Sequence, residues 1–140
     1  VNLKLLEKML RQHEGVENKP YFCPANKLTI GVGRNLEDKG LSDSEVSFLL
    51  QNDIEEVIND LGNLIRDFGT LPENIKLVLS DMRFNLGPNR FRGFKNMLAA
   101  VEARDWKTMV AEMKDSRWYR QVGKRAETLI LLVNEVNRNG

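Results

Sequence analysis

The sequence predicts an α+β fold, mostly helical, with one small sheet near the N-terminus. Three observations carry that prediction. Apolar residues recur at three- and four-residue spacing along most of the chain, starting with Leu3, Leu6, Met9 and Leu10. The stretch "KLTIGVGR", residues 27–34, alternates instead and carries β-branched residues and glycines. Ser42, with Glu45 three residues later, forms a capping box that opens a long amphipathic run.

Taken in order, residues 2–13 read as an amphipathic helix that Gly15 is placed to end. Residues 20–34 change character: "CPAN" is turn-like, and "KLTIGVGR" completes a hairpin or short sheet. A helix over about residues 42–65 follows, its apolar face made by Val46, Leu49, Leu50, Ile54, Val57, Ile58, Leu61, Leu64 and Ile65. The next helix starts at Pro72 and stops at Gly87 and Pro88. Three shorter helices are expected at about 93–102, 106–114 and 124–136, with Asp105 as N-cap of the second. There is no internal repeat and no low-complexity linker. The expected layout is one domain over residues 1–140: a small β lobe at about 14–41, a linking helix at about 42–65, and a helical lobe at about 66–140. Helix 2–13 is expected to pack on the helical lobe.

Composition narrows the function. A hydrophobic fraction of 41% with 29% charged residues is ordinary for a soluble globular domain. A net charge of +1 gives no reason to expect nucleic acid as a partner. Basic residues do cluster, in "RFRGFK" and in "KDSRWYRQVGKRAE". These are solvated faces or a local wall for an acidic polymer. One cysteine and one histidine exclude an intrachain disulfide and argue against a zinc site. No apolar run reaches the length of a membrane span, so no stable membrane insertion is expected. "VNLKLLEKML" does not read as a signal peptide. Because the chain starts at Val rather than Met, a removed leader stays open.

The polar residues of 13–35 admit two readings. Glu14 ends an apolar-faced helix, where the negative end of the helix dipole disfavours a carboxylate, and burial would act the same way. Both effects favour a carboxylic acid that keeps its proton, which a general acid needs. Otherwise Glu14 is one of 20 acidic residues and merely solvated. Cys23 reads equally as a small buried hydrophobe. Thr29 reads as a β-branched strand residue, and Gly31 and Gly33 as a bulge or close backbone approach.

Spacing shifts that balance. Glu14, eight residues, Cys23, five residues and Thr29 resemble the "E, eight, D or C, five, T" pattern of the phage-type lysozymes, the muramidases of glycoside hydrolase family 24. "LTIGVGR" resembles that family's "TIGxGH" strand. "RFNLGPNRFRGFKNML" and "DWKTMVAEMKDSRWYRQVGKRAETLI" are similar to its later segments, in the same order along the chain.

The resemblance implies a lysozyme-like fold with a cleft between two lobes. It also implies hydrolysis of the β-1,4 bond between N-acetylmuramic acid and N-acetylglucosamine in bacterial cell-wall peptidoglycan, with no cofactor and no metal. Glu14 would be the general acid, Thr29 would help hold the attacking water, and Cys23 would occupy the position that holds a water, or a developing positive charge, on the opposite face of the sugar. The implied outcome is inversion.

An unperturbed thiol is only about 3% thiolate at pH 7. Three accounts of Cys23 are therefore open: nearby cations lower its pKa, the neutral thiol orients water, or the site is weak. Implied substrate contacts are Asn35, Phe84, Met97 and Glu112. Phe84 would pack on a sugar face or lie in the core. Met97 and Glu112 depart from the short polar side chains the family carries there. Arg125 is the matching arginine, a candidate partner of Glu14 or a surface residue. Trp106 and Trp118 are expected in the core. The short "NLEDKG" before Ser42 implies a small N-terminal lobe.

The resulting expectation is a monomeric phage or prophage endolysin. It would be held in the host cytoplasm and act on the periplasmic peptidoglycan, by an export route that stays open with a holin-type pore as the simplest, and it would suit a Gram-negative host by analogy. A non-catalytic peptidoglycan-binding or morphogenetic module is the alternative. Membrane killing by the basic C-terminal helix is a third.

Overall fold

The computed structural model describes residues 1–139 and falls into two units, Val1–Leu49 and Leu50–Gly140. In the first, helix α1 (Leu3–Glu14) precedes three antiparallel strands in the order β1-β2-β3: β1 (Glu17–Phe22), β2 (Leu28–Gly31) and β3 (Arg34–Asn35). Asn2 caps α1 by accepting the Leu5 N–H at 3.0 Å. Thr29 is the centre of the sheet, paired with Tyr21 on one side and Asn35 on the other. The expected hairpin thus gains a first strand that begins at Glu17, ahead of Pro20.

Helix α2 (Asp43–Leu64) runs from one unit into the other. Its capping box is formed as expected. Ser42 N–H donates to Glu45 Oε1 at 2.8 Å, and Glu45 N–H donates to Ser42 Oγ at 3.2 Å. The apolar face read along this helix is buried only in part. Val57, Leu61 and Ile65 are core residues, whereas Val46, Leu49, Leu50, Ile54 and Ile58 are exposed. The helical period was correct. Burial also needs a partner face, and spacing does not specify one.

The second unit holds the core. Helix α3 (Glu73–Leu86) ends at Gly87, as its sequence predicts. It is followed by α4 (Pro88–Arg92), α5 (Lys95–Glu102), α6 (Trp106–Lys114), α7 (Arg117–Val122) and α8 (Lys124–Asn139). Asp105 caps α6 by accepting the Thr108 N–H at 3.1 Å. Two helices exceed the expected three because α4 and α7 have five and six residues, too few for a period to register. Each carries a start signal nonetheless: Pro88 in the first turn of α4, and Ser116 Oγ accepting the Tyr119 N–H at 3.1 Å.

Ile75, Val78, Leu79 and Met82 of α3 meet Met109, Met113, Ala126 and Val133 in one buried cluster. Trp118 is buried there, its indole N–H donating to Asn85 Oδ1 at 3.0 Å and its ring packed edge-on against Phe94. Trp106 packs partly buried against the same cluster. Asp60 accepts Arg83 at 2.6 Å and also Arg92, so the buried Arg83 guanidinium is paired. Among the described residues no helix is long and apolar enough to cross a membrane.

Candidate active site

Glu14 is the last residue of α1. Gly15 ends the helix at φ +80°, donating its N–H to the Arg11 carbonyl at 3.0 Å. The chain then enters β1, and the Glu14 carboxyl group lies against Gly33 in the loop between β2 and β3. Val32 of that loop borders the same groove as Leu3, Leu6 and Leu10 of α1, so helix and loop are neighbours. Glu14 is exposed, as the solvated reading of it has it.

Cys23 and Thr29 are tied to one backbone group. The Lys27 carbonyl accepts the Cys23 N–H at 3.0 Å and the Thr29 hydroxyl at 2.8 Å. The turn that achieves this is closed by the Asn26 N–H donating to the Cys23 carbonyl at 2.8 Å. Thr29 is 4% exposed and Cys23 is half-buried. The Lys27 N–H, above all, holds the Cys23 thiol below its ordinary pKa. Burial opposes it, while the N–H of Ala25, the Thr29 hydroxyl and the N–H of Cys23 itself add to it. A lowered thiol is the first of the three accounts of Cys23. The cause is backbone and hydroxyl donors rather than the cations anticipated.

Asn35, beside Thr29 on β3, is engaged with Asp38. Its Nδ2 donates to Asp38 Oδ2 at 3.0 Å, and its Oδ1 accepts the Asp38 N–H at 3.0 Å. One amide N–H of Asn35 stays free of that pair. Arg34, next to it, makes two bonds to Glu45, at 2.9 and 2.7 Å, and so fastens the sheet to the start of α2.

In the second unit Met97 and Glu112 line one pocket of about 590 Å³, with Asn96, Ser116, Arg117 and Trp118. Met97 is 1% exposed and offers an apolar floor, whereas Glu112 is half-buried at its wall. Phe84 is 45% exposed on α3, so the core reading does not hold for it. Arg125 donates from Nε to Asp81 Oδ1 at 2.7 Å. Its pairing with Glu14 would join the two units and stays an expectation. The sequence reading passed over Asn96, Ser116 and Arg117; Gly33 it read as a bulge or close backbone approach, and the Glu14 carboxyl group does lie against it. Ser116 and Arg117 carried a signal, because "SRWY" is the start of α7. Among the described residues no group of three His, Cys, Asp or Glu could hold a metal ion.

A helical chain with this small three-stranded sheet is built as a lysozyme-type glycosidase. The phage lysozyme family matches residues 11–133, and the chain belongs to that family. It is a muramidase, and its substrate is peptidoglycan. The chain is 27% identical over 154 residues to the probable T4-type lysozyme 2 of Dictyostelium discoideum, an alignment covering 89% of this chain and 91% of that one. It is 25% identical over 169 residues to the pre-baseplate central spike protein Gp5 of Enterobacteria phage T4, covering 99% of this chain and 29% of that protein.

Proposed function

We propose that this lysozyme cleaves the β-1,4 bond between N-acetylmuramic acid and N-acetylglucosamine, with Glu14 as general acid and Cys23 and Thr29 handling the attacking water. The observation that carries the reading is the shared Lys27 carbonyl, which sets a lowered thiol beside a buried hydroxyl in the sheet that follows Glu14. In the proposed step the Glu14 proton goes to the leaving glycosidic oxygen. Water attacks the anomeric carbon from the opposite face, and its proton goes to the Cys23 thiolate. Inversion follows from attack opposite the leaving group. Asn35, Phe84, Met97 and Glu112 bind substrate, with Phe84 offering its exposed ring to a sugar face. Arg125 plays a supporting part.

The biological role in this reading is that of a phage or prophage endolysin: a monomer released from the host cytoplasm to lyse the cell from the periplasmic side. The likeness to a central spike protein favours a second setting for the same fold, as a module of a particle.

Digestion of purified Gram-negative peptidoglycan by the wild-type chain and by Glu14→Gln tests the chemistry. The expected result is muropeptides with reducing N-acetylmuramic acid ends, absent with the variant. Anhydro ends would make the enzyme a lytic transglycosylase. Full turnover by Glu14→Gln would remove the acid assignment.

A further inference from the structure

Three residues, Gly31, Val32 and Gly33, join the paired positions Ile30 and Arg34 at the tip of the β2–β3 hairpin. Gly31 has φ +70° and Gly33 has φ +67°. Both therefore have the same backbone reason to be glycine, since other L-residues adopt that region only at a cost. Their surroundings differ. A Cβ at Gly31 would meet nothing within 4 Å. A Cβ at Gly33 would stand 2.7 Å from Glu14 Oε2, 3.1 Å from its carboxyl carbon and 3.4 Å from its Cγ. The Glu14 carboxyl group thus occupies the space that any side chain at position 33 would fill. The left-handed turn does not explain that contact, because Gly31 makes the same kind of turn without it.

We propose that Gly33 is a positioning residue for the catalytic acid: its bare backbone is the seat on which the Glu14 carboxyl group rests. The proposal builds on the assignment of Glu14 as general acid. The Glu14 backbone is held at the end of α1 by the Gly15 cap, so rotation of its side chain is the cheapest way to relieve a collision. That rotation moves the far end of a flexible, exposed side chain and costs the fold little. What it changes is where the proton is delivered, and a misplacement of about 1 Å can lower turnover on the order of 100-fold. Gly33→Ala should therefore harm catalysis far more than stability.

Gly31→Ala is the internal control, because it places a Cβ at nearly the same positive φ without the collision. Melting temperature, sedimentation with peptidoglycan, turnover and the ¹³C resonance of the Glu14 carboxyl carbon would be compared for wild type, Gly31→Ala, Gly33→Ala and Gly33→Asn. Asparagine tolerates positive φ better than alanine and still carries a Cβ, so it replaces alanine if Gly33→Ala does not fold. The two alanine variants are expected to melt close together and to bind peptidoglycan alike. Gly33→Ala is expected to turn over roughly 10- to 100-fold more slowly than Gly31→Ala, with the Glu14 resonance moved only at position 33. Introduced into Glu14→Gln, the two alanine substitutions are expected to change residual turnover equally. Loss of activity in Glu14→Gln, but equal turnover and an unmoved Glu14 resonance in the two alanine variants, overturns the positioning proposal alone. Full turnover in Glu14→Gln overturns the acid assignment and this proposal with it.

Discussion

The Thr29 hydroxyl has one proton and two acceptors within reach. In the structure it donates to the Lys27 carbonyl, and the same hydroxyl helps lower the Cys23 thiol. Turning the proton from the carbonyl to the sulfur stabilises the thiolate without moving the backbone. The effect is measurable apart from catalysis. Alkylation of Cys23 by iodoacetamide should reach its plateau rate at a lower pH in the native chain than in urea, because the native thiol ionises earlier. Thr29→Val should raise the native midpoint only in part, since the Lys27 N–H, the largest contributor, stays in place. An identical midpoint in native and unfolded chains would remove the thiolate from the mechanism.

At the scale of one element, the start of α2 carries the sharpest electrostatic signature. Arg34, through its two bonds, and then the Ser42 N–H and hydroxyl hold Glu45 down from its ordinary 4.5 to about 2. The folded carboxyl ionises below the unfolded one. Its contribution to stability is therefore present in full above about pH 4.5 and disappears as the pH falls towards 2. Melting curves of wild type and Glu45→Gln should accordingly lie apart at pH 7 and converge between pH 5 and pH 2. Curves that stay equally separated at both ends would mean the glutamate acts by packing rather than charge. The capping box is the part of this device that local sequence displays, because Ser42 and Glu45 are three residues apart. Arg34 lies 11 residues from Glu45 and was not legible as its partner, since a hairpin return is needed to bring it there.

Across the whole molecule, burial is unequal. Among the described residues up to Leu49 only Thr29 is buried, whereas the remainder buries a continuous cluster from Val57 to Val133. Opening free energies follow buried apolar contact, so amides of β1 and β2 should exchange with solvent well before those of α3 and α8. Hydrogen exchange read by NMR would show it, and equal protection in the two units would contradict it. Within the core, Ile75→Ala should cost about 2–5 kcal/mol by denaturant unfolding, while Leu131→Ala, 62% exposed, should stay within about 0.5 kcal/mol.

Much of this chain was legible one segment at a time. Helical period and caps found α1, α2, α3, α5, α6 and α8 within a few residues, because each is decided by neighbours three or four positions away. Alternation with glycines found the sheet. The spacing of Glu14, Cys23 and Thr29, with the segments after it, pointed to the lysozyme family. Tertiary structure alone decided which apolar faces were covered, since the exposed face of α2 has the same period as its buried end. It alone joined Arg125 to Asp81 and Asp60 to Arg83 and Arg92, pairs 44, 23 and 32 residues apart. It alone separated Gly33 from Gly31, two glycines that share a positive φ. The physical reason is common to all of these. Backbone preference is local and written in adjacent residues, whereas contact depends on where distant parts of the chain come to rest.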